Sequence, residues 1–236
     1  MGPLAAQGVV ADPFEATFSM PLFKYFQEHH EYGQAFGDFM SVRQSKSTRW
    51  FDIYPVQAGM EEARTKDSDV LLVDVGGGLG HWAREFRKAV PAVKYTGRVI
   101  VQDQPGVVDR INIDGVEAMA YDFFTPQIIV GGRFYLFKQI IHDWDDKKAT
   151  QILRNTADTM TQGQSTLLID DYVLPEEKVG LQAACMDIGM MMANGGGERT
   201  EIQWRSIISA AGLKIVRIWF SGDSDEGGEN VIECQT

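Results

Sequence analysis

Short apolar runs alternate with helix-like stretches from residue 70 onwards, and this alternation limits the chain to one class of fold. The runs 70–75 (VLLVDV) and 98–102 (RVIVQ) are almost wholly apolar, as in parallel strands that are buried on both faces. The other predicted strands occupy 117–121, 133–137, 165–169, 213–219 and 230–234. Helices are predicted from about 81 to 90 and at 145–160, 179–192 and 201–211. This order predicts an α/β domain with a mainly parallel sheet.

The stretch before the sheet, residues 12–65, has a helical pattern instead. Its apolar side chains recur at three- and four-residue steps: Phe14, Phe18, Leu22, Phe23, Phe26, Tyr32, Phe36, Phe39 and Met40. We expect these stripes to pack in a core, with a ligand pocket as the alternative. The chain therefore divides into a helical segment, 1–65, and a sheet domain, 66–236. The acidic, glycine-rich segment 222–229 is predicted to be a solvated hairpin loop.

Composition excludes several classes of function. The 236 residues carry 22 Lys and Arg against 33 Asp and Glu, a net charge of −11, which would repel nucleic acid and anionic membranes. Two cysteines, Cys185 and Cys234, and four histidines without zinc-ligand spacing indicate neither a disulfide framework nor a metal site. Because the N-terminus lacks the pattern of a secretory signal, we expect a cytoplasmic protein.

Polar residues follow the predicted strands where ligands bind in parallel α/β sheets, at the carboxyl ends. They are Asp74, Asp103, Asp122, Lys138, His142 and Asp171. A single aspartate at a strand end is usually a turn former or a helix cap, but five strands in succession carry a polar residue here. We therefore predict a ligand site at this edge of the sheet.

A glycine-rich turn, Gly76–Gly80, follows the first strand and lets the backbone approach a ligand closely. Gly78, Gly80 and Ala83 also fit the G-x-G-x-x-A spacing of dinucleotide sites, with Asp103 some twenty residues further on. Both a nicotinamide dinucleotide and S-adenosylmethionine present an adenosine ribose to such an acid. The turn alone therefore leaves both cofactors open, although Asp74 is close to where the cationic end of a ligand would lie.

Several motifs together are more specific. They are LLVDVGGGLG (71–80), VIVQDQPGVV (99–108), YDFF (121–124), FYLFKQIIHDWDD (134–146), LLIDDYVLP (167–175) and NGGGERTEIQW (194–204). With FEATFSMPLFKYF (14–26), the chain resembles the class I S-adenosylmethionine-dependent O-methyltransferases of plant and fungal secondary metabolism, the caffeate and flavonoid type. The resemblance implies a Rossmann-like, seven-stranded, mainly parallel sheet with helices on both faces, preceded by a short helical subregion.

The resemblance also implies roles at matching positions. S-adenosylmethionine is the cofactor, S-adenosylhomocysteine its product, and no metal is needed. Residues implied to bind the cofactor are Gly76 and Gly78 in the loop, Asp103 at the ribose, Asp122 and Phe123 at the adenine, and Lys138 at its border. His142 is the implied general base, with Asp171 and Glu198 as its partners. The implied substrate-facing residues are Tyr32, Phe36, Met40, Met186, Met190 and Asn194. A phenol or polyketide-like small molecule is the expected substrate, with no nucleic acid or membrane partner.

An imidazole is a suitable general base for this reaction. A phenol is a weak acid, and a neutral imidazole can take its proton as the phenol oxygen attacks the methyl group. The simpler interpretation of His142 is a residue of the turn that begins a helix. The methionines near 190 fit core packing about as well as a pocket. Asp143 or Asp145 is expected to cap the helix after His142, and Arg199 and Thr200 to begin the next one.

Two departures from the family keep alternatives open. Members normally carry a further N-terminal dimerisation domain, so we expect a more open pocket, a homodimer or a partner chain that supplies the missing part. Asp171 stands where the family often has glutamate, and its shorter side chain is expected to reach His142 poorly. The alternatives are a cofactor-bound pericyclase or isomerase and a non-catalytic, cofactor-binding subunit.

Overall fold

The computed structural model describes residues 12–45, 47–63, 70–90, 96–221 and 229–236. The predicted boundary between helical segment and sheet domain, at 65/66, therefore lies outside the described residues, as does most of the predicted acidic loop, 222–228. Within them, no helix is long and apolar enough to cross a membrane.

The sheet follows the predicted alternation closely. Its strands are β1 Val70–Val75, β2 Arg98–Asp103, β3 Glu117–Ala120, β4 Phe134–Lys138, β5 Thr166–Leu174, β6 Arg199–Thr200, β7 Lys214–Phe220 and β8 Glu229–Gln235. Seven of them lie in the order β3-β2-β1-β4-β5-β8-β7, and the short β6 pairs with β5 outside this path. Strands β1 to β5 run parallel, and β8 is antiparallel to both β5 and β7. The predicted mainly parallel, seven-stranded sheet is confirmed.

Strand β5 is longer than the sequence predicted. The prediction ended at 169, with Asp170 and Asp171 beyond the strand, but both lie inside it and pair with Val231 and Asn230 of β8. Antiparallel pairing with β8 supplies backbone partners that let the strand continue. The prediction of Asp171 at a strand end was therefore wrong.

Helices cover both faces of the sheet. They are α1 Pro13–Phe18, α2 Leu22–Glu28, α3 His30–Gln44, α4 Trp50–Ile53, α5 Val56–Ala63, α6 His81–Ala89, α7 Pro105–Val108, α8 Asp146–Ala157, α9 Leu181–Asn194 and α10 Glu201–Ala210. Side chains alternate along β4, so Tyr135 and Phe137 pack in the core with α8 and α10, while Phe134 and Leu136 pack in the core with α4, α5 and α6.

The N-terminal helices contradict the core interpretation of their apolar stripes, since α1, α2 and α3 contain no fully buried residue. Their rings stack on one another instead: Phe26 on Phe36 at 4.9 Å between centroids, and Phe23 5.9 Å from Trp144. Because Trp144 directly follows the short 3₁₀ turn Ile141–Asp143 beyond β4, these helices pack near the carboxyl end of β4.

Candidate active site

In the glycine loop after β1, Gly78 has free space beside it and a hydrogen bond to the end of β2. Gly78 adopts a φ of +57°, and nothing lies within 4 Å of where a Cβ would be. Its N–H donates to Asp103 Oδ2 at 2.8 Å, and Gln104 N–H donates to Asp103 Oδ1 at 2.7 Å. The predicted ribose-binding carboxylate thus lies directly beside the predicted cofactor loop.

A second carboxylate lies beneath this loop. Asp74 is 1% exposed, and its Oδ2 has no hydrogen-bond partner among the described residues. Burial and the nearby charge of Asp103 raise the pKa of Asp74 to about 7. Burial also raises the pKa of Asp103, against the opposing effect of the two N–H donors. A cation or hydroxyl donor near the loop would therefore stabilise both carboxylates in their charged form.

The predicted adenine contacts follow β3. Asp122 is exposed and its Oδ1 accepts the N–H of Phe124 at 3.0 Å, which shapes a tight turn. The half-buried ring of Phe123 lies 5.8 Å from that of Trp144. This arrangement leaves a carboxylate and an aromatic side chain at the same edge as the glycine loop.

Lys138 ends β4, but its ammonium is held by protein carboxylates. Nζ donates to Asp170 Oδ2 at 2.6 Å and to Glu229 Oε2 at 2.9 Å, and it lies 4.9 Å from the Trp82 ring centroid. Burial alone would lower the pKa of Lys138, but these two carboxylates raise it. Burial raises the pKa of Asp170 to about 6 although Lys138 opposes it. Since the pair is almost inaccessible and 2.6 Å apart, we describe it as a charged ion pair.

His142 lies in a 3₁₀ turn, Ile141–Asp143, just past β4, and is 3% exposed. Its Nδ1 is 2.8 Å from Glu198 Oε1, a hydrogen-bonding distance. Asp171 Oδ1 is 3.7 Å from the same nitrogen, and neither of its carboxylate oxygens has a partner among the described residues. On the other side of the ring, Nε2 is 3.8 Å from Asp143 Oδ1, too far for a hydrogen bond. The predicted short reach of Asp171 is confirmed.

Three carboxylates around the imidazole of His142 raise its pKa. Burial by itself lowers the pKa of His142, but Asp171, Glu198 and Asp143 outweigh it and raise the pKa to about 10. Burial raises the pKa of Asp171 to about 8 and that of Asp143 to about 6, in each case against the attraction of His142. The carboxylates around His142 therefore favour the protonated ring, whereas general-base catalysis uses the neutral ring.

Arg199, in β6, holds the turn that carries His142, and sequence reasoning missed this role. Its guanidinium donates to the carbonyls of Ile141 at 3.1 Å and Trp144 at 2.6 Å, and to Asp146 Oδ1 at 2.9 Å. Arg199 was expected to begin a helix, but only Thr200 does so, as the N-cap of α10. The G-G-x-E-R-T motif, which places an arginine directly after Glu198, was the available signal.

Glycines next to Glu198 bring its loop against the same turn. The Gly197 N–H donates to the His142 carbonyl at 2.9 Å. A Cβ at Gly196 would lie 2.1 Å from the His142 carbonyl oxygen and 2.5 Å from the Asp143 carbonyl carbon. Only glycine allows this contact between two backbones, so Glu198 and His142 come from loops that are packed directly on each other.

The predicted substrate residues are partly brought together. Asn194 Nδ2 donates to Asp143 Oδ1 at 3.4 Å, and the Arg43 guanidinium contacts Met186 Sδ at 3.7 Å. Phe36, Met40 and Met190 are half-buried. Tyr32 is 52% exposed and contacts Tyr25 and His29 instead. Of the two expected helix caps, Asp145 caps α8, and Asp143 faces His142.

A family model described as an O-methyltransferase domain matches residues 5–214. The chain belongs to this family. It is 37% identical over 202 residues to "Methyltransferase cfoC" of Aspergillus candidus, an alignment that covers 84% of this chain and 50% of the relative. It is 35% identical over 194 residues to "Demethylsterigmatocystin 6-O-methyltransferase stcP" of Emericella nidulans, covering 82% of this chain and 92% of the relative. The chain spans about half the length of most of the curated relatives described for it.

Solved structures show the same fold. OxaC matches with a TM-score of 0.86 at 26% identity, over 98% of this chain and 60% of that protein. LepI, in a structure described as its complex with SAM, matches with a TM-score of 0.83 at 26% identity, over 98% of this chain and 61% of that protein. A match of the same quality is described as a pericyclic reaction enzyme.

Proposed function

We propose that this chain transfers a methyl group from S-adenosylmethionine to a hydroxyl of an aromatic or polyketide-like small molecule, with His142 as the general base. The observation that carries the proposal is the buried His142–Glu198 pair, 2.8 Å apart, at the same sheet edge as the glycine loop, where Gly78 has free space beside it and Asp74 and Asp103 lie close by. The family and the named O-methyltransferases within it support the same reaction.

The residues around the glycine loop fit the proposed cofactor. Gly78 has open space beside it, Asp103 keeps lone pairs on both oxygens for ribose hydroxyls, and Asp74 Oδ2 is a buried acceptor without a partner. Asp122 and Phe123 would hold the adenine. When bound, the cofactor supplies a methyl group on a sulfonium, so the site needs no metal. Solved structures of OxaC and LepI are described with SAH and with SAM, respectively.

The residues around His142 then accept one proton, that of the substrate's hydroxyl group. Glu198 accepts the Nδ1 proton of His142, which fixes the tautomer and leaves Nε2 as the atom that takes the substrate's hydroxyl proton. Asp143 Oδ1 lies 3.8 Å from Nε2 and accepts from Asn194 Nδ2 at 3.4 Å. The ring of Phe23 contacts those of Phe36 and Trp144, the residue directly after the turn of His142. These rings would orient a planar substrate and exclude water.

The raised pKa of His142 gives the proposed reaction a pH dependence. The surrounding carboxylates raise the pKa of His142 to about 10, which disfavours the neutral ring at neutral pH. Methyl transfer that depends on the neutral ring therefore becomes faster as pH rises toward the pKa of His142. Any positive charge bound nearby lowers this pKa, because it opposes the imidazolium.

Calorimetric titration of the purified chain with S-adenosylmethionine, S-adenosylhomocysteine and NAD tests the cofactor first. We expect micromolar binding of both adenosyl compounds and none of NAD. Turnover is then measured by mass spectrometry on a panel of hydroxylated aromatic polyketides. His142→Ala is expected to abolish methylation and to leave the affinity for S-adenosylhomocysteine unchanged, with His30→Ala on the surface as the matched control. Binding of NAD alone, or equal losses of binding and turnover in His142→Ala, would contradict the proposal.

A specific observation also favours a second function, a pericyclic or isomerisation reaction. The hydrogen bond from His142 Nδ1 to Glu198 Oε1, 2.8 Å long, favours a protonated ring whose Nε2–H would polarise a substrate carbonyl, and a protein described as a pericyclic reaction enzyme shares the fold. This reaction predicts a product of unchanged mass, no S-adenosylhomocysteine, and a rate that falls as pH rises through the pKa of His142. The mass and the direction of the pH dependence separate the two functions.

A further inference from the structure

Glu229, the first residue of β8, joins three parts of the fold with one carboxylate. Its Oε2 accepts from Lys138 Nζ at 2.9 Å, and its Oε1 accepts from Gln139 Nε2 at 2.9 Å and from Ser47 Oγ at 3.5 Å. Glu229 thus connects the end of β4, the start of β8 and the segment between α3 and α4. None of these contacts belongs to the proposed chemistry at His142.

Gln139, directly after β4, has an unusual backbone. Its φ is +54°, a left-handed conformation that is unfavourable for a residue with a Cβ, and the residue is 6% exposed. Such a conformation persists only where surrounding contacts hold it. The contacts here are the backbone N–H, which donates to the Asp170 carbonyl at 3.0 Å, and the side-chain amide, which donates to Glu229.

The strained residue determines where its neighbours lie. Ile140 follows it, and a Cβ at Gly76 would be 2.6 Å from Ile140 Cδ1, so this side chain packs directly on the backbone of the glycine loop. The 3₁₀ turn with His142 begins at the next residue. The conformation at Gln139 therefore sets both one wall of the proposed cofactor loop and the start of the turn that carries the base.

We propose that Glu229 is a positioning residue that holds Gln139 in its left-handed conformation and so fixes Ile140 against Gly76 and the turn of His142 in its place. That this positioning affects cofactor binding and the base rests on the function proposed above. The hydrogen bonds themselves do not depend on that function.

The ion pair with Lys138 does not account for Glu229 by itself. Asp170 also binds the ammonium, at 2.6 Å, and is completely buried. Lys138 therefore keeps a charged partner when Glu229 is removed, while the Gln139 side chain loses the acceptor described for it. The consequence of removing Glu229 falls mainly on Gln139.

This difference makes a rescue experiment possible. Glu229→Ala releases the Gln139 side chain, and Gln139→Gly in the same chain removes the cost of the left-handed backbone, because glycine adopts positive φ readily. Glu233→Ala is the matched control, since Glu233 lies on the same strand and accepts from Trp219 Nε1 at 3.0 Å. Two readouts are compared: the affinity for S-adenosylhomocysteine by calorimetry, and amide hydrogen exchange in segments 76–78 and 139–142.

We expect Glu229→Ala to weaken the affinity about tenfold and to accelerate exchange in both segments about tenfold. The double variant Glu229→Ala/Gln139→Gly restores both, whereas Glu233→Ala changes either by less than about threefold. No change in Glu229→Ala, or no rescue by Gln139→Gly, would overturn the proposal. If Glu229→Ala does not fold, Glu229→Gln replaces it in the single and the double variant. Rescue of affinity and exchange by Gln139→Gly then supports the proposal, and its absence overturns it.

Hydrogen exchange separates this proposal from the function it rests on. A wild-type chain that binds no S-adenosylhomocysteine would refute the proposed function. Exchange in the two segments would still respond to Glu229→Ala and to the rescue if Glu229 positions Gln139. An exchange pattern that is the same in all variants would refute the positioning role even where the cofactor binds.

Discussion

Glu198 Oε1 lies 2.8 Å from Nδ1 of His142, and both side chains are almost completely buried. Asp171, which reaches toward the same nitrogen, stops 3.7 Å away and leaves both of its oxygens without partners among the described residues. One carboxylate therefore orients the imidazole, and the other acts on it only through its charge.

Glu198→Gln is expected to lower kcat for methyl transfer by about 100-fold or more, because the amide no longer stabilises the imidazolium that forms during proton transfer. Asp171→Asn is expected to lower it by less than about tenfold, since the hydrogen bond is absent already. Steady-state rates of both variants are measured with a substrate from the panel. Calorimetry shows whether each variant keeps its affinity for S-adenosylhomocysteine. A larger loss in Asp171→Asn than in Glu198→Gln would reverse the assignment.

Sequence patterns predicted the sheet because its central strands are buried on both faces and are therefore apolar throughout. β1 and β2 appear in the structure within a residue of their predicted bounds. The resemblance also predicted that His142 and Glu198 are partners, and the structure places them 2.8 Å apart, while the role of His142 as a base stays a prediction. These features are local, so each is visible in a short stretch of chain.

Features that depend on distant pairing were not predicted. β5 continues through Asp170 and Asp171 because β8, some sixty residues later, supplies its hydrogen bonds. Glu229 meets Gln139 for the same reason, and no local pattern marks either contact. The raised pKa of His142 was not predicted, because it results from three carboxylates that converge only in the folded chain.

Asp171→Asn is expected to stabilise the protein more in alkaline than in acidic solution. Burial raises the folded-state pKa of Asp171 from 3.8 to about 8, so the unfolded chain releases this proton first and stability falls as pH rises between these values. An asparagine has no proton to lose. Urea unfolding at about pH 5 and about pH 9 should show a gain in unfolding free energy that is larger at the higher pH. Asp114→Asn, at an exposed carboxylate away from the site, serves as a control, and an equal gain at both pH values would contradict the expected titration.

The pKa values of His142 and His81, the two histidines near the site, are expected to differ widely in an NMR titration. His142 should titrate near its raised pKa of about 10, because its carboxylate neighbours outweigh burial. Burial and then Arg84 lower the pKa of His81 below 6.5, which provides an internal reference. The imidazolium of His142 contributes stability that is complete below about pH 6.5 and is lost as pH rises through about pH 10. A His142 signal that titrates near neutrality would show that the carboxylates do not act as described.

Arg199→Lys is expected to lower kcat about 100-fold through misplacement of the His142 turn. Lysine keeps the charge, but one ammonium cannot span the Ile141 and Trp144 carbonyls and Asp146 as the guanidinium does. Arg205→Lys is the control, because Arg205 is exposed and bonds only to Glu201 among the described residues. Rates and the NMR signal of His142 are compared in both. An unchanged kcat in Arg199→Lys would show that charge alone holds the turn.

Gly196→Ala tests whether the loops of Glu198 and His142 must touch. Its new methyl group would meet the carbonyls of His142 and Asp143, at 2.1 Å from an oxygen and 2.5 Å from a carbon, and backbone cannot move aside as a flexible side chain does. We expect a loss of about 2–3 kcal/mol in unfolding free energy and a large loss of turnover. Gly189→Ala, in α9 with nothing within 4 Å of its Cβ position, should be neutral or more stable by about 0.5–1 kcal/mol. Denaturant unfolding compares the unfolding free energies of the two variants. Equal values would mean that the two loops can separate. The 2.8 Å contact between His142 and Glu198 would then not depend on the packing of the loops.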